Sequence, residues 1–189
     1  MHILSSHTSM SDFNQMQTIK RQMYALRNGI IADSLRKAGA GYKMIFGLNL
    51  PQIREVAQSL PPDRALAEEL WADRRTRESM LLAPMVYPVE EMDFPTAMRW
   101  VSETEHTEVA DILCHSLLRH LPFAWDMAVT LAGQTEPMKR YVAMRLMWNL
   151  LAAHRDEIRP YAAAEAERGE ELTRRVASTL VEEIDFLNE

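Results

Sequence analysis

Residues 70–82 read LWADRRTRESMLL. Laid over RWVSETEHTEVAD, residues 99–111, they put Trp71 on Trp100 across a shift of 29 residues. A further shift of 31 brings Leu131 of TLAGQTEPMKRYVAM to the same place. Each copy is an apolar helical stretch, a short polar join and a second apolar stretch. A unit of about thirty residues built as a helix hairpin is the sequence mark of an α-solenoid. One hairpin cannot bury its apolar stripe alone, so stacked neighbours supply the core; an irregular helical bundle is the alternative. Stacked hairpins curve, and their concave side is lined by the second helix of each pair. Here those second helices are RESMLLAPM, TEVADILCHSLL and MKRYVAMRLMW.

The rest of the chain agrees with an all-α reading. Hydrophobic residues make up 47% of the 189, with only six glycines, a composition that favours helices and a sizeable core. No period-two β-branched run is present. A first helical region is expected over about residues 12–38, capped by Ser11 or Asp12, with Asn28-Gly29 as an irregularity or a join. Gly39, Gly41 and Gly47 break the next segment. Helices are then expected from Pro51, after Asp63, after Thr76, at Asp93-Phe94-Pro95, at Thr104 or Thr107, after Pro122, and from Thr135 to about His154. Two more, over about 156–168 and 170–187, complete the chain. The expectation is one domain over 1–189, with capping helices at 1–41 and 151–189 around repeats at 42–150.

The formal charge of −6 gives no global attraction to phosphate and lowers, without removing, the expectation of nucleic-acid binding. Much of the acid lies near the C-terminus, in EAERGEELTRR and VEEIDFLNE. The single cysteine, Cys114, excludes an intramolecular disulfide, fits a reducing compartment and sits in an apolar helical run, where a buried inert thiol is expected. The start, MHILSSHTSMSDF, lacks the basic and apolar regions of a signal peptide, and no run approaches a membrane span. A cytoplasmic protein without membrane contact is expected.

Four segments carry a family resemblance. FGLNLPQIREVA (46–57) resembles a Gly-(Ile/Leu)-x-x-Pro entry followed by Arg, ELWADRRTRE (69–78) a Leu-Trp followed by Arg-Glu, TEVADILC (107–114) a Trp-x-x-x-Asp, and MKRYVAM (138–144) a Trp-x-x-Arg-x-Ala. In this order and spacing they are similar to the DNA alkylation repair glycosylases built from HEAT-like helical repeats, over about residues 42–150. The resemblance implies a right-handed superhelix of HEAT-like hairpins, with double-stranded DNA on the concave face and no metal or other cofactor. A purine alkylated at N3 or N7 already carries positive charge, so its glycosidic bond is weakened. A carboxylate near the sugar can stabilise the developing oxocarbenium and position water. Indoles can face the cationic base, and an arginine or lysine can anchor phosphate.

Residue by residue, the resemblance puts the catalytic carboxylate at Asp111. It puts Thr107 where the family has an indole, and the family's arginine at Arg140 or one residue later at Tyr141. A later tryptophan of the family falls near RRVASTL, at Thr179 or a neighbour. The chain is also shorter than the usual member. Lys139, Arg140 and Arg145 form a basic cluster able to meet phosphate, or else a solvated face with ion pairs. Asp111 can equally be a polar contact on the concave face, paired with Arg140 or Lys139. Arg74, Arg75 and Arg77, in a join between helices, pose the same choice.

His106, His115, His120 and His154 show no metal-ligand spacing. Trp71, Trp100, Trp125 and Trp148 read as packing residues, with Trp148 able to reach the concave surface. The methionines read as adaptable core filler. Two functions follow. One is a protein that binds damaged DNA, with Asp111 assisting release of a cationic alkylated purine while Arg140, Lys139, Arg145, Thr107 and Tyr141 hold the DNA. The other is a scaffold without excision, binding a protein or a nucleic acid.

Overall fold

The computed structural model describes residues 9–189, with side chains from residue 15. The opening MHILSSHT and the side chains of Ser11 and Asp12 lie outside the described residues, and with them the expected cap. The described residues hold eleven α-helices and no strand, with one isolated bridge between Met44 and Thr76. They fall into two compact units that meet in sequence at Pro88 and Val89.

The first unit contains α1 (Ser9–Ala25), α2 (Gly29–Lys37), α3 (Leu50–Gln58), α4 (Arg64–Ala72) and α5 (Arg77–Val86). Asn28 is the join between α1 and α2: its side chain accepts from the backbone N–H of Ile30 and Ile31, which satisfies donors that a helix start otherwise leaves unmet. Asn49 and Gln52 cap α3 reciprocally, and Asp63 caps α4 through Leu66 N–H at 3.0 Å. Helix α4 packs on α5, and α3 and α1 close the other sides. Ile19, Met23, Leu48, Ile53, Leu70, Trp71, Leu81 and Leu82 are buried at the centre.

The second unit contains α6 (Phe94–Ser102), α7 (Thr107–Ser116), α8 (Ala124–Ala132), α9 (Pro137–Asn149), α10 (Leu151–Arg168) and α11 (Glu171–Leu187), with single 3-10 turns at Val89–Glu91 and Leu118–His120. Asp93 caps α6, accepting from Thr96 N–H at 2.8 Å. Helix α9 lies against α6, α7, α8, α10 and α11, which is why its sequence has no broad polar face. The expected long helix from residue 135 to 154 ends instead at Asn149. The chain restarts as α10, which bends where His154 leaves helical geometry (φ −130°, ψ 26°).

The thirty-residue period is visible in the helix starts. Helices α4, α6 and α8 begin at residues 64, 94 and 124, and α5, α7 and α9 at 77, 107 and 137. Aligning Trp71, Trp100 and Leu131 gives shifts of 29 and 31 because a packed side chain marks the repeat less sharply than a helix start does.

Candidate nucleic-acid interface

Helices α7 and α9 lie side by side in the second unit and touch at successive turns. Asp111 meets Arg145, and His115 meets Asn149; both pairs are 34 residues apart, so the two helices run in the same direction. Deeper, the Cys114 thiol faces the Val142 carbonyl at 3.6 Å. Burial of Val109, Ala110, Leu113 and Cys114 on α7, and of Val142, Ala143, Leu146 and Met147 on α9, fixes the pairing. The side chains left partly or fully open to solvent include Thr107, Glu108, Asp111, Ile112 and His115 on one helix and Tyr141, Arg145, Trp148 and Asn149 on the other.

Asp111 is the centre of this seam. Its Oδ1 accepts from the Tyr141 hydroxyl at 3.0 Å and lies 2.7 Å from Arg145 Nε. The arginine contact is an ion pair without good alignment, since Nε–H does not point along a hydrogen bond. Nothing among the described residues donates to Oδ2. The side chains of Asp111 and Arg145 are about one-third exposed, at 35% and 29%. Burial pushes the Asp111 carboxyl above its ordinary range, and the Arg145 charge and the Tyr141 hydrogen bond pull back against it. The same burial, with Asp111 alongside, drives the Tyr141 hydroxyl upward, so it stays a donor. The Cys114 thiol is fully buried and pushed up in the same way, the inert state the apolar run foretold.

The other residues of the sequence reading separate. Arg140, expected beside Asp111, is instead in the core: its Nε donates to both oxygens of Glu165 at 3.0 and 3.2 Å, its Nη1 to the carbonyls of Gln134 and Thr135, and its Nη2 lies 3.6 Å from Glu170. A guanidinium 2% exposed and engaged on every nitrogen has nothing to offer a phosphate. Tyr141, one residue on, turns to Asp111 because a single residue rotates the side chain by about 100° around a helix. Lys139 sits at the surface, paired with Glu136 at 2.7 Å. Thr107 opens α7 within the seam but offers no ring. Arg77 is buried against Glu78, whereas Arg74 and Arg75 are exposed.

No indole lies on the carboxylate's side of the seam except Trp148, which is half-buried on α9. Trp71 and Trp100 are core residues, and Trp125 is stacked on His154 with ring centres 4.4 Å apart. No three His, Cys, Asp or Glu side chains converge on a metal position among the described residues. None of the described helices is long and apolar enough to cross a membrane.

The sequence profile of the DNA alkylation repair enzymes matches residues 19–174. The chain belongs to that family. The fold also matches a solved protein described as one of a new family related to the HEAT-like repeat DNA glycosylases, with affinity for branched DNA structures. The TM-score is 0.73 and the identity 17%, over 87% of this chain and 73% of the other. No curated protein matches the sequence. The array of helix hairpins expected from the period, HEAT-like as the resemblance implied, is therefore the fold, and the irregular bundle is set aside.

Two of the segments that carry the family resemblance turn out to be one structural device. Glu78 is completely buried, and its carboxylate accepts from the backbone N–H of Phe46, Gly47 and Leu48 at 3.0, 2.9 and 3.3 Å. Arg77 Nη1 lies 2.9 Å from the same carboxylate and donates to the Leu48 carbonyl at 3.0 Å. Gly47 adopts φ +81°, and a Cβ there would stand 2.1 Å from the Asn28 carbonyl oxygen. The FGL and RE signatures of this alkylation repair family member thus hold the 46–48 loop on α5.

The sequence reading missed Glu165, which binds Arg140, Thr173 and Arg168. A signal existed: Ile158, Ala162 and Glu165 fall at i, i+4 and i+7, a core register in α10.

Proposed function

We propose that this member of the alkylation repair family binds DNA along the α7–α9 seam and does not excise bases. The observation behind this reading is the engagement of Asp111 by both Arg145 and Tyr141. A carboxylate that must stabilise an oxocarbenium works through its negative charge, and a guanidinium 2.7 Å away already offsets that charge. On this reading Asp111 positions Arg145, whose Nη groups are the natural donors to a phosphodiester. The absence of a ring at Thr107 removes one aromatic wall against which a cationic base would rest. The solved relative with affinity for branched DNA makes a four-way junction the first substrate to try beside a duplex.

The test has two arms. Purified protein is incubated in excess with methylated DNA and the released purines are measured, and binding to labelled duplex and junction is measured across salt. Salt-sensitive binding without release supports the proposal. Release of 3-methyladenine or 7-methylguanine that is lost in Asp111→Asn refutes it and favours the excising reading, for which the open Oδ2 of Asp111 is the supporting feature. No binding at any salt leaves the protein-binding scaffold.

A further inference from the structure

The seam continues beyond Asp111. His115 follows it one turn later on α7, and Arg119 and His120 sit in the 3-10 turn behind the helix. Four helical residues advance the axis by about 6 Å, so His115 lies one turn beyond Asp111, and Arg119 follows in the 3-10 turn after the helix ends at Ser116. Leu117, Leu118 and Leu121 are buried and pin the turn, while His115 and His120 are exposed and Arg119 half-exposed. Arg119 Nε donates to His120 Nε2 at 3.1 Å, and His115 Nδ1 lies 3.2 Å from Asn149 Oδ1. In a chain of net charge −6, none of the three forms an ion pair with a carboxylate among the described residues. This is unusual company for an arginine: its acceptor is a neutral imidazole nitrogen.

We infer that His115, Arg119 and His120 form a clamp for a DNA backbone phosphate, which closes with uptake of one proton at His120. The inference rests on the DNA-binding reading above and adds where a phosphate is held and what accompanies it. The chemistry follows from the Arg119–His120 contact. As long as His120 Nε2 accepts from Arg119, that nitrogen cannot carry a proton. A phosphodiester offers acceptor oxygens and a negative charge, so it displaces the imidazole as partner of Arg119. His120 Nε2 then takes a proton from solvent and becomes a second donor to the same phosphate.

Partial burial, then the charge of Arg119, then the neighbouring His115, hold His120 below the ordinary histidine range in the free protein; a bound phosphate counters the Arg119 charge. Other charged or titratable groups on the packed elements are Glu108, Asp111 and Cys114 on α7, Asp126 on α8, and Lys139, Arg140, Tyr141 and Arg145 on α9. The neighbours that act on His120 are Arg119 and His115.

The experiment is fluorescence anisotropy of a labelled duplex with the full chain, across pH from about 7.5 to about 5.5, the window around an ordinary histidine, and across salt. Wild type is expected to bind more tightly as pH falls, by up to about tenfold per pH unit, the limit for uptake of one proton. His120→Gln should keep its affinity at the upper pH and lose most of that gain. Arg119→Gln should weaken binding and reduce the slope of log Kd against log salt by about 0.9, the loss of one phosphate contact. Thermal melts of the variants check that they fold. Binding by wild type with the same pH and salt response in both variants overturns the clamp alone. No binding by wild type overturns both the clamp and the DNA-binding reading.

Discussion

Replacing Glu78 by glutamine changes one oxygen to an amide nitrogen in a fully buried site. The four contacts divide unequally: Oε1 faces Gly47 N–H, Leu48 N–H and Arg77 Nη1, and Oε2 faces Phe46 N–H alone. The glutamine oxygen takes the richer position, so its NH2 group confronts Phe46 N–H, donor against donor. One hydrogen bond to a charged group is lost, worth about 1.5–3 kcal/mol. The remaining three lose their charge assistance and about half their strength. The charge opposite buried Arg77 also disappears. Breaking one side of a buried ion pair costs about 3–5 kcal/mol, and we expect Glu78→Gln to fall in that range. For a chain of this length that corresponds to a drop in Tm of roughly 6–20 °C. Urea unfolding followed by circular dichroism, extrapolated to water, measures it. A loss below about 1 kcal/mol would refute the account of Glu78 as the anchor of the 46–48 loop.

Gly47→Ala, forced to φ +81° with its Cβ on the Asn28 carbonyl, should destabilise by more than the roughly 1–3 kcal/mol of a strained backbone conformation alone, read in the same unfolding assay. Arg140→Ala should cost about 3–5 kcal/mol by stranding Glu165, while the folded fraction binds DNA as wild type does; a loss of affinity at unchanged stability would reinstate Arg140 as a phosphate contact. Asp111 should shape stability against pH. Its folded carboxyl titrates above the unfolded value of 3.8, so the protonated form favours folding, and that contribution fades as pH rises from 3.8 through the folded value. Asp111→Asn should flatten this decline in urea midpoints. Tyr141→Phe, by removing a hydrogen bond that lowers the Asp111 value, should carry the decline to higher pH.

The sequence carried the fold through its period. Asp63 and Asp93 start helices thirty residues apart, and both caps are legible because a short acidic side chain before an apolar stretch satisfies helix N–H groups. The seam was half legible. Asp111 was singled out, but its partner was placed at Arg140 or Lys139 rather than Arg145. Position along a motif does not fix the side of a buried helix, and α9 is covered on so many sides that its apolar pattern does not show which face is open. Tyr141 and Arg145 share a face, four residues apart, while Arg140 points to Glu165. The Arg140–Glu165–Thr173 contacts join residues 25 and 8 positions apart, and only Glu165's place in a core register hinted at them.

The separation of Glu78 from Asp111 bears on what family membership can say about activity. Glu78 serves the backbone N–H groups of the 46–48 loop together with Arg77, a role in holding the fold that involves no group open to a ligand. Asp111 serves two side chains, Tyr141 and Arg145, and its chemistry depends on what those two side chains are. A resemblance carried by the first kind of residue therefore tracks the hairpin array, and function has to be argued from the second. At Asp111 the partners present are a cation and a phenol, with threonine rather than an indole one turn earlier on α7. On the proposed reading that set orients a guanidinium toward a phosphate, because the carboxylate already faces a cation within the protein.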